Sequence, residues 1–115
     1  MVKYKIVDIG GKKLPCRFGM AALRKYSKET KTTLSQLSEI GNDMTLDNAI
    51  VLVWCGLSDG ARVKNVPFSY SIDDIADLLD GNINALEEIF SVLEEHMSHY
   101  DDDKGKKQKA AKKKN

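Results

Sequence analysis

The spacing of apolar side chains along this chain changes once, and the change divides it into a short extended start and a long helical remainder. Tyr4-Lys5-Ile6-Val7-Asp8-Ile9 is rich in β-branched and aromatic residues, Gly10-Gly11 follows, and Lys12-Lys13-Leu14-Pro15-Cys16-Arg17-Phe18 resumes the extended pattern. Two such runs around a Gly-Gly turn predict a β-hairpin. Pro15 has no amide hydrogen to give to a ladder, so the second strand is expected to be an edge strand or to end there. A lone hairpin is marginal in water and must pack on something else.

From Gly19 onward the period is helical. Gly19–Thr30 is the first expected helix, with Met20, Leu23 and Tyr26 or Ser27 on its buried face and Arg24, Lys25, Lys28 and Glu29 toward water. Thr33-x-x-Gln36 is a capping box for a short helix bearing Leu34, Leu37 and Ile40, and Gly41-Asn42-Asp43 breaks it. Thr45 caps a third helix, Leu46–Ser58, with Asp47 in its first turn. Leu46, Ala49, Ile50, Val53 and Leu57 form one face, while Val51, Leu52, Trp54 and Cys55 fill most of the others. A helix that is apolar nearly all round belongs in the middle of a core, so Trp54 is expected inside. The run Ala49–Leu57 also has the composition of a buried strand; the cap and the length favour helix. Asp59-Gly60 is expected to end this element.

After a loop with Pro67, Phe68 and Tyr70, Ser71-x-x-Asp74 caps a fourth helix carrying Ile72, Ile75, Ala76, Leu78 and Leu79. Asp80-Gly81-Asn82 turns the chain into a last helix, about Ile83 to Tyr100. Its apolar seam is Ile83, Leu86, Phe90, Leu93, Met97 and Tyr100, with Ile89 alongside. The seam is two heptads long, shorter than the three or four of a coiled coil, so packing within the chain is the simpler reading. Self-association through this seam is the alternative.

The resulting expectation is a mainly α, small helical domain of four to five helices with an N-terminal β-hairpin, residues 1–100, followed by a disordered lysine-rich tail, residues 101–115. The tail contains no large apolar side chain and cannot offset the entropy of ordering. Charge follows the same division. Residues 1–100 hold 11 Lys/Arg against 14 Asp/Glu, a net −3, and the tail holds seven Lys against three Asp, a net +4. No basic stripe is visible on the domain, so a fold-borne nucleic-acid surface is not expected. The tail itself has three readings: an electrostatic contact for nucleic acid or an acidic partner, a solubilising segment, or the protein-level trace of an adenine-rich message.

Chemistry is sparse. Cys16 and Cys55 lack a second ligand pair, so zinc is unsupported, and they are expected to be reduced thiols, Cys55 as a small buried hydrophobe. His96 and His99 are read as the solvated polar edge of a fraying helix end rather than a metal site. Asp73, Asp74, Asp77, Asp80, Glu87, Glu88, Glu94 and Glu95 recur at helical spacings and read as a solvated surface. No catalytic constellation and no cofactor is expected. The start has no apolar signal-peptide core, and Ala49–Leu57 is far shorter than the roughly 20 residues of a membrane span, so a cytosolic protein with no membrane partner is expected.

The order of these elements resembles a known family. A short hairpin leads into Leu14-Pro15-Cys16-Arg17-Phe18-Gly19-Met20-Ala21-Ala22-Leu23-Arg24-Lys25-Tyr26. The apolar helix carries Val53-Trp54-Cys55-Gly56-Leu57 before a Gly-containing loop, Tyr70-Ser71-Ile72-Asp73-Asp74-Ile75-Ala76-Asp77-Leu78-Leu79 follows, and an amphipathic helix closes. Over residues 4–98 this is similar to the tail assembly chaperones of long-tailed bacteriophages, through patterns of apolar positions rather than catalytic residues. The resemblance implies a non-catalytic assembly factor of the host cytoplasm that binds the helical, aggregation-prone tape measure protein and gives way to the tail tube protein. Many such chaperones are made in two lengths by a programmed ribosomal frameshift, and the lysine-rich end is where a slippery stretch would sit. A helix-in-groove mode would use residues at i, i+3, i+4 and i+7. The groove is expected between the final helix and its neighbours, which makes Phe90, Leu93 and Met97 the candidate partner-binding residues; the same three also suit a core. The alternatives are a small nucleic-acid-associated protein using its basic tail and a structural component of the phage tail.

Overall fold

The computed structural model describes the backbone of residues 3–112 and the side chains of residues 3–98; the tail expected from Asp101 lies outside the residues whose side chains are described. The order is β1 (Lys5–Ile9), β2 (Lys12–Cys16), α1 (Met20–Thr30), a 3-10 helix (Leu34–Glu39), α2 (Leu46–Lys64), α3 (Ile72–Leu79) and α4 (Asn84–Lys112). The protein is mainly α, with an N-terminal hairpin.

β1 and β2 pair antiparallel with Ile9 opposite Lys12 and Lys5 opposite Cys16. Gly10 and Gly11 both have positive φ, 60° and 91°. That is the type I′ geometry whose twist matches the flanking strands. Val7 and Ile9 point inward from β1 while Ile6 and Asp8 are exposed, the period-2 alternation of a half-buried strand.

The central element is α2, which packs against α1, β2 and α3. The strand alternative for Ala49–Leu57 is excluded, because the run lies wholly within this helix. Thr45 Oγ1 accepts from the Asn48 amide at 3.1 Å, the expected cap. The expected stop at Asp59-Gly60 is not one: α2 continues to Lys64. A Cβ on Gly60 would stand 2.3 Å from the Pro15 carbonyl oxygen, and one on Gly56 2.5 Å from the Phe18 ring. These glycines are in the helix to admit β2 and Phe18, and that packing offsets their poor helix propensity of roughly 0.5–1 kcal/mol. The helix ends at Asn65, which takes the left-handed conformation (φ 65°) while the Val66 amide reaches back to the Ala61 carbonyl at 3.0 Å, and Pro67 prevents resumption.

α3 begins with the predicted capping box. Ser71 Oγ accepts from the Asp74 amide at 3.0 Å, and the Asp74 carboxylate accepts from the Ser71 amide at 2.9 Å. In α1, Ala22, Leu23 and Tyr26 are buried, whereas Met20, expected on that face, is 61% exposed. The buried face therefore runs through Ala22, Leu23 and Tyr26, and α1 packs against α2. The core joins Val7, Phe18, Leu52, Leu57, Ile75 and Ile89 among others.

α4 departs most from expectation. Its buried stripe is Ala85, Ile89, Val92 and His96, with Leu93 beside it. The larger seam residues Leu86, Phe90 and Met97 are only half-buried, and Ile83, just before the helix, is 63% exposed. The helix is turned by about one residue, roughly 100°, from the orientation its largest side chains suggest. Three polar ties to the hairpin region accompany that orientation. His96 Nδ1 accepts from the Phe18 amide at 3.0 Å, Glu88 accepts from the Asp8 amide at 3.3 Å, and Lys5 pairs with Glu95 at 3.4 Å.

Candidate functional site

The turn of α4 leaves a groove of about 570 Å³ between α4 and the segment that follows the 3-10 helix. Its floor is Leu93, Phe90, Met97 and Ile40, and its rim carries Glu87, Glu94 and several serines. The 3-10 helix is positioned by Gln36, whose side-chain carbonyl accepts from the Thr33 amide at 2.9 Å, so the expected capping box lies at the expected place. Gly41 (φ 98°) turns the chain away from α4, and a Cβ there would meet Leu93 at 3.5 Å.

The structure therefore brings the three predicted residues together at one groove and gives them different roles. Leu93 is buried at 4% exposure and ties the groove to the core. Phe90 and Met97 pack on the core with one side and face the groove with the other. Glu87 and Glu94, seven residues apart and so on the same side of the helix, make no ion pair among the described residues. The groove is apolar at its base and acidic at its edge.

A second polar site was not legible in the sequence. Asp59, with a side chain 1% exposed, is bridged by Arg17 at 3.2 Å and Arg62 at 2.7 Å, and it accepts from the Gly19 amide at 3.1 Å. The carboxylate thus sits at the N-terminus of α1, where the helix dipole favours negative charge, and joins hairpin exit, α1 and α2 at one point. Residue order alone reads Asp59 with Gly60 as a helix end, so nothing local marks it as buried.

His96 was expected in solvent and is 2% exposed; its ring accepts the Phe18 amide hydrogen at 3.0 Å, satisfying a donor that burial would otherwise leave costly. Trp54 was expected inside the core and lies half-buried on the outer side of α2. Its Nε1 donates to the Tyr70 carbonyl at 2.9 Å, and Lys25 Nζ stands 4.5 Å from the ring centre. The indole covers α2 and anchors the loop before α3.

Cys16 and Cys55 are free thiols and buried. Loss of solvent raises Cys16 far above its ordinary range, with Asp59 and Glu88 adding to the effect. Burial likewise pushes Cys55 up to about 12. Both are protonated at neutral pH and are poor nucleophiles. Among the described residues no group of three His, Cys, Asp or Glu side chains is placed to hold a metal ion, and no helix is long and apolar enough to cross a membrane. Comparison of the chain with protein-family models, with curated proteins and with solved structures gives no match.

Proposed function

We propose that this chain is a non-catalytic tail assembly chaperone of a long-tailed bacteriophage. It acts in the host cytoplasm, holding a helical segment of the tape measure protein and yielding it to the tail tube protein. The observation that carries the reading is the groove beside α4: Phe90, Leu93 and Met97 form its base at the spacing of one helix face, and two of the three are open to a visitor. From Glu87 to Ser98 the groove follows about 16 Å of helix, the length of a three-turn segment docking through its i, i+3, i+4 and i+7 positions. Methionine suits such a site because its unbranched thioether adapts to varied partners. The carboxylates at the rim keep an apolar groove hydrated while it is empty.

The test is co-expression with a tape measure protein from the same genome. The wild-type chain is expected to keep it in the soluble fraction, in a complex that persists at high salt. Phe90→Asp with Met97→Asp is expected to retain the helical circular dichroism spectrum and lose the partner. An unfolded double variant would show these side chains to be core alone, and a folded, fully active one would exclude the groove.

A further inference from the structure

The glutamates of α4 fall into two adjacent pairs, Glu87-Glu88 and Glu94-Glu95, seven residues apart. The fold splits each pair. Glu88 accepts from the Asp8 amide and Glu95 pairs with Lys5, both on the hairpin side. Glu87 and Glu94 are exposed at the groove and make no ion pair among the described residues. They lie about 10 Å apart along the helix, with Ser91 between them and Ser98 beyond on the same side. The facing wall brings Ser38, Ile40, Gly41 and Asn42 to the groove and no charge. No lysine or arginine lines the groove, and the segments that supply its walls carry none: residues 32–61 hold four Asp/Glu, residues 65–100 hold eight, and neither holds a Lys or Arg. An apolar base thus lies beside a rim whose charges are all negative.

Given the role of the groove as a helix site proposed above, on which this step rests, we infer that it selects a basic amphipathic helix from another protein. Apolar residues at i, i+3, i+4 and i+7 of that helix meet Phe90, Leu93 and Met97, and Lys or Arg two turns apart on one flank meet Glu87 and Glu94. Charge complementarity carries the choice of occupant. Lys and Arg lay their stems along apolar surface while their heads stay in water, so they reach the two carboxylates without burying a charge. The chain itself offers no such helix. α1 has Arg24, Lys25 and Lys28, but its apolar residues Ala22, Leu23 and Tyr26 are buried. The lysine-rich end has no large apolar side chain. Nucleic acid and anionic membrane surfaces would meet like charge at this rim. Exposed rim charges set selectivity and encounter rate more than affinity. The apolar base therefore still holds the complex at high salt, and the rim decides which helices enter.

Fluorescence anisotropy of the full chain with three labelled peptides tests it. Each peptide is about 18 residues long, enough for a helix in isolation, with the same apolar positions and Lys, Gln or Glu on the flank. At about 50 mM salt the Lys peptide is expected to bind about tenfold tighter than the Glu peptide, with Gln between, and the gap should close to about twofold near 1 M, where the screening length is roughly 3 Å. E87K with E94K should reverse the order, and Glu87→Gln with Glu94→Gln should abolish it, both with an unchanged circular dichroism spectrum. D73K with D77K changes net charge equally but on α3, and should leave the order intact. Phe90→Asp with Met97→Asp should remove all three peptides. Binding that ignores the flank yet is lost in this last variant would keep the helix site and overturn the basic preference alone. A preference that survives E87K with E94K, or that vanishes with D73K and D77K, would overturn it by placing the attraction elsewhere. Failure of all three peptides to bind would overturn both the preference and the helix site. A Lys peptide that binds about tenfold tighter once Lys104→Gln and Lys106→Gln are introduced would overturn it in favour of the chain's own lysine-rich end as occupant.

Discussion

The two long helices of this protein solve the same problem in opposite ways. α2 is apolar nearly all round and is covered by α1, β2 and α3, with glycines where β2 and Phe18 come too close for any side chain. α4 is apolar along two adjacent stripes and has the hairpin on one of them. On the covered faces of α2 a polar residue persists because it is satisfied, as Asp59 is. In α4 a large apolar residue can sit half in water, as Phe90 and Met97 do. The first helix organises the core, and the second leaves an apolar groove at the surface.

The sharpest way to break the comparison is at Asp59. Asp59→Ala removes the buried carboxylate that bridges Arg17 and Arg62 and accepts from the Gly19 amide, and breaking a buried pair from one side costs about 3–5 kcal/mol. Denaturant unfolding is expected to show a loss of that size. A loss under about 1 kcal/mol would mean that the site behaves as a surface ion pair and that α2 is not closed there.

Next in size is a paired substitution on α4. Ile89→Ala, in the fully buried stripe, should cost about 2–5 kcal/mol. Phe90→Ala, one residue away, should cost only about 1–1.5 kcal/mol, in proportion to half-burial of a large side chain. Equal losses in urea melts would show that both stripes are core and would remove the groove. His96→Leu should cost about 1–3 kcal/mol, since it keeps the volume and strands the Phe18 amide; hydrogen exchange at Phe18 should accelerate in step.

The smallest effect is invisible at neutral pH. A thiol whose folded value is raised binds its proton more tightly in the native state, so its stabilising contribution is full below the unfolded value near 9 and is lost as pH rises toward about 12. Stability should therefore fall through that alkaline window, and Cys55→Ala should flatten the fall. Native protein should resist thiol reagents at neutral pH; rapid labelling of two thiols without unfolding would contradict the burial of β2 against α2.

Local chemistry was legible from residue order. The Gly10-Gly11 turn, the boxes at Thr33 and Ser71 and the cap at Thr45 are contacts among residues close in sequence, and each appears where its motif stands. Phe90, Leu93 and Met97 were found as neighbours for the same reason: helical spacing puts them on one side. Other features depended on what came from far along the chain. Asp59-Gly60 has the composition of a helix end, yet Arg17 and the Pro15 carbonyl, more than forty residues away, turn it into helix interior. Stripes at 85, 89, 92, 96 and 86, 90, 93, 97 are both available on α4. The hairpin's hydrogen bonds to Glu88 and His96 favour the first, although the second holds the larger side chains. Periodicity specifies that a helix has faces, because that is local geometry; which face is covered depends on the free energy of contacts with elements distant in sequence, and those exist only once the chain has folded.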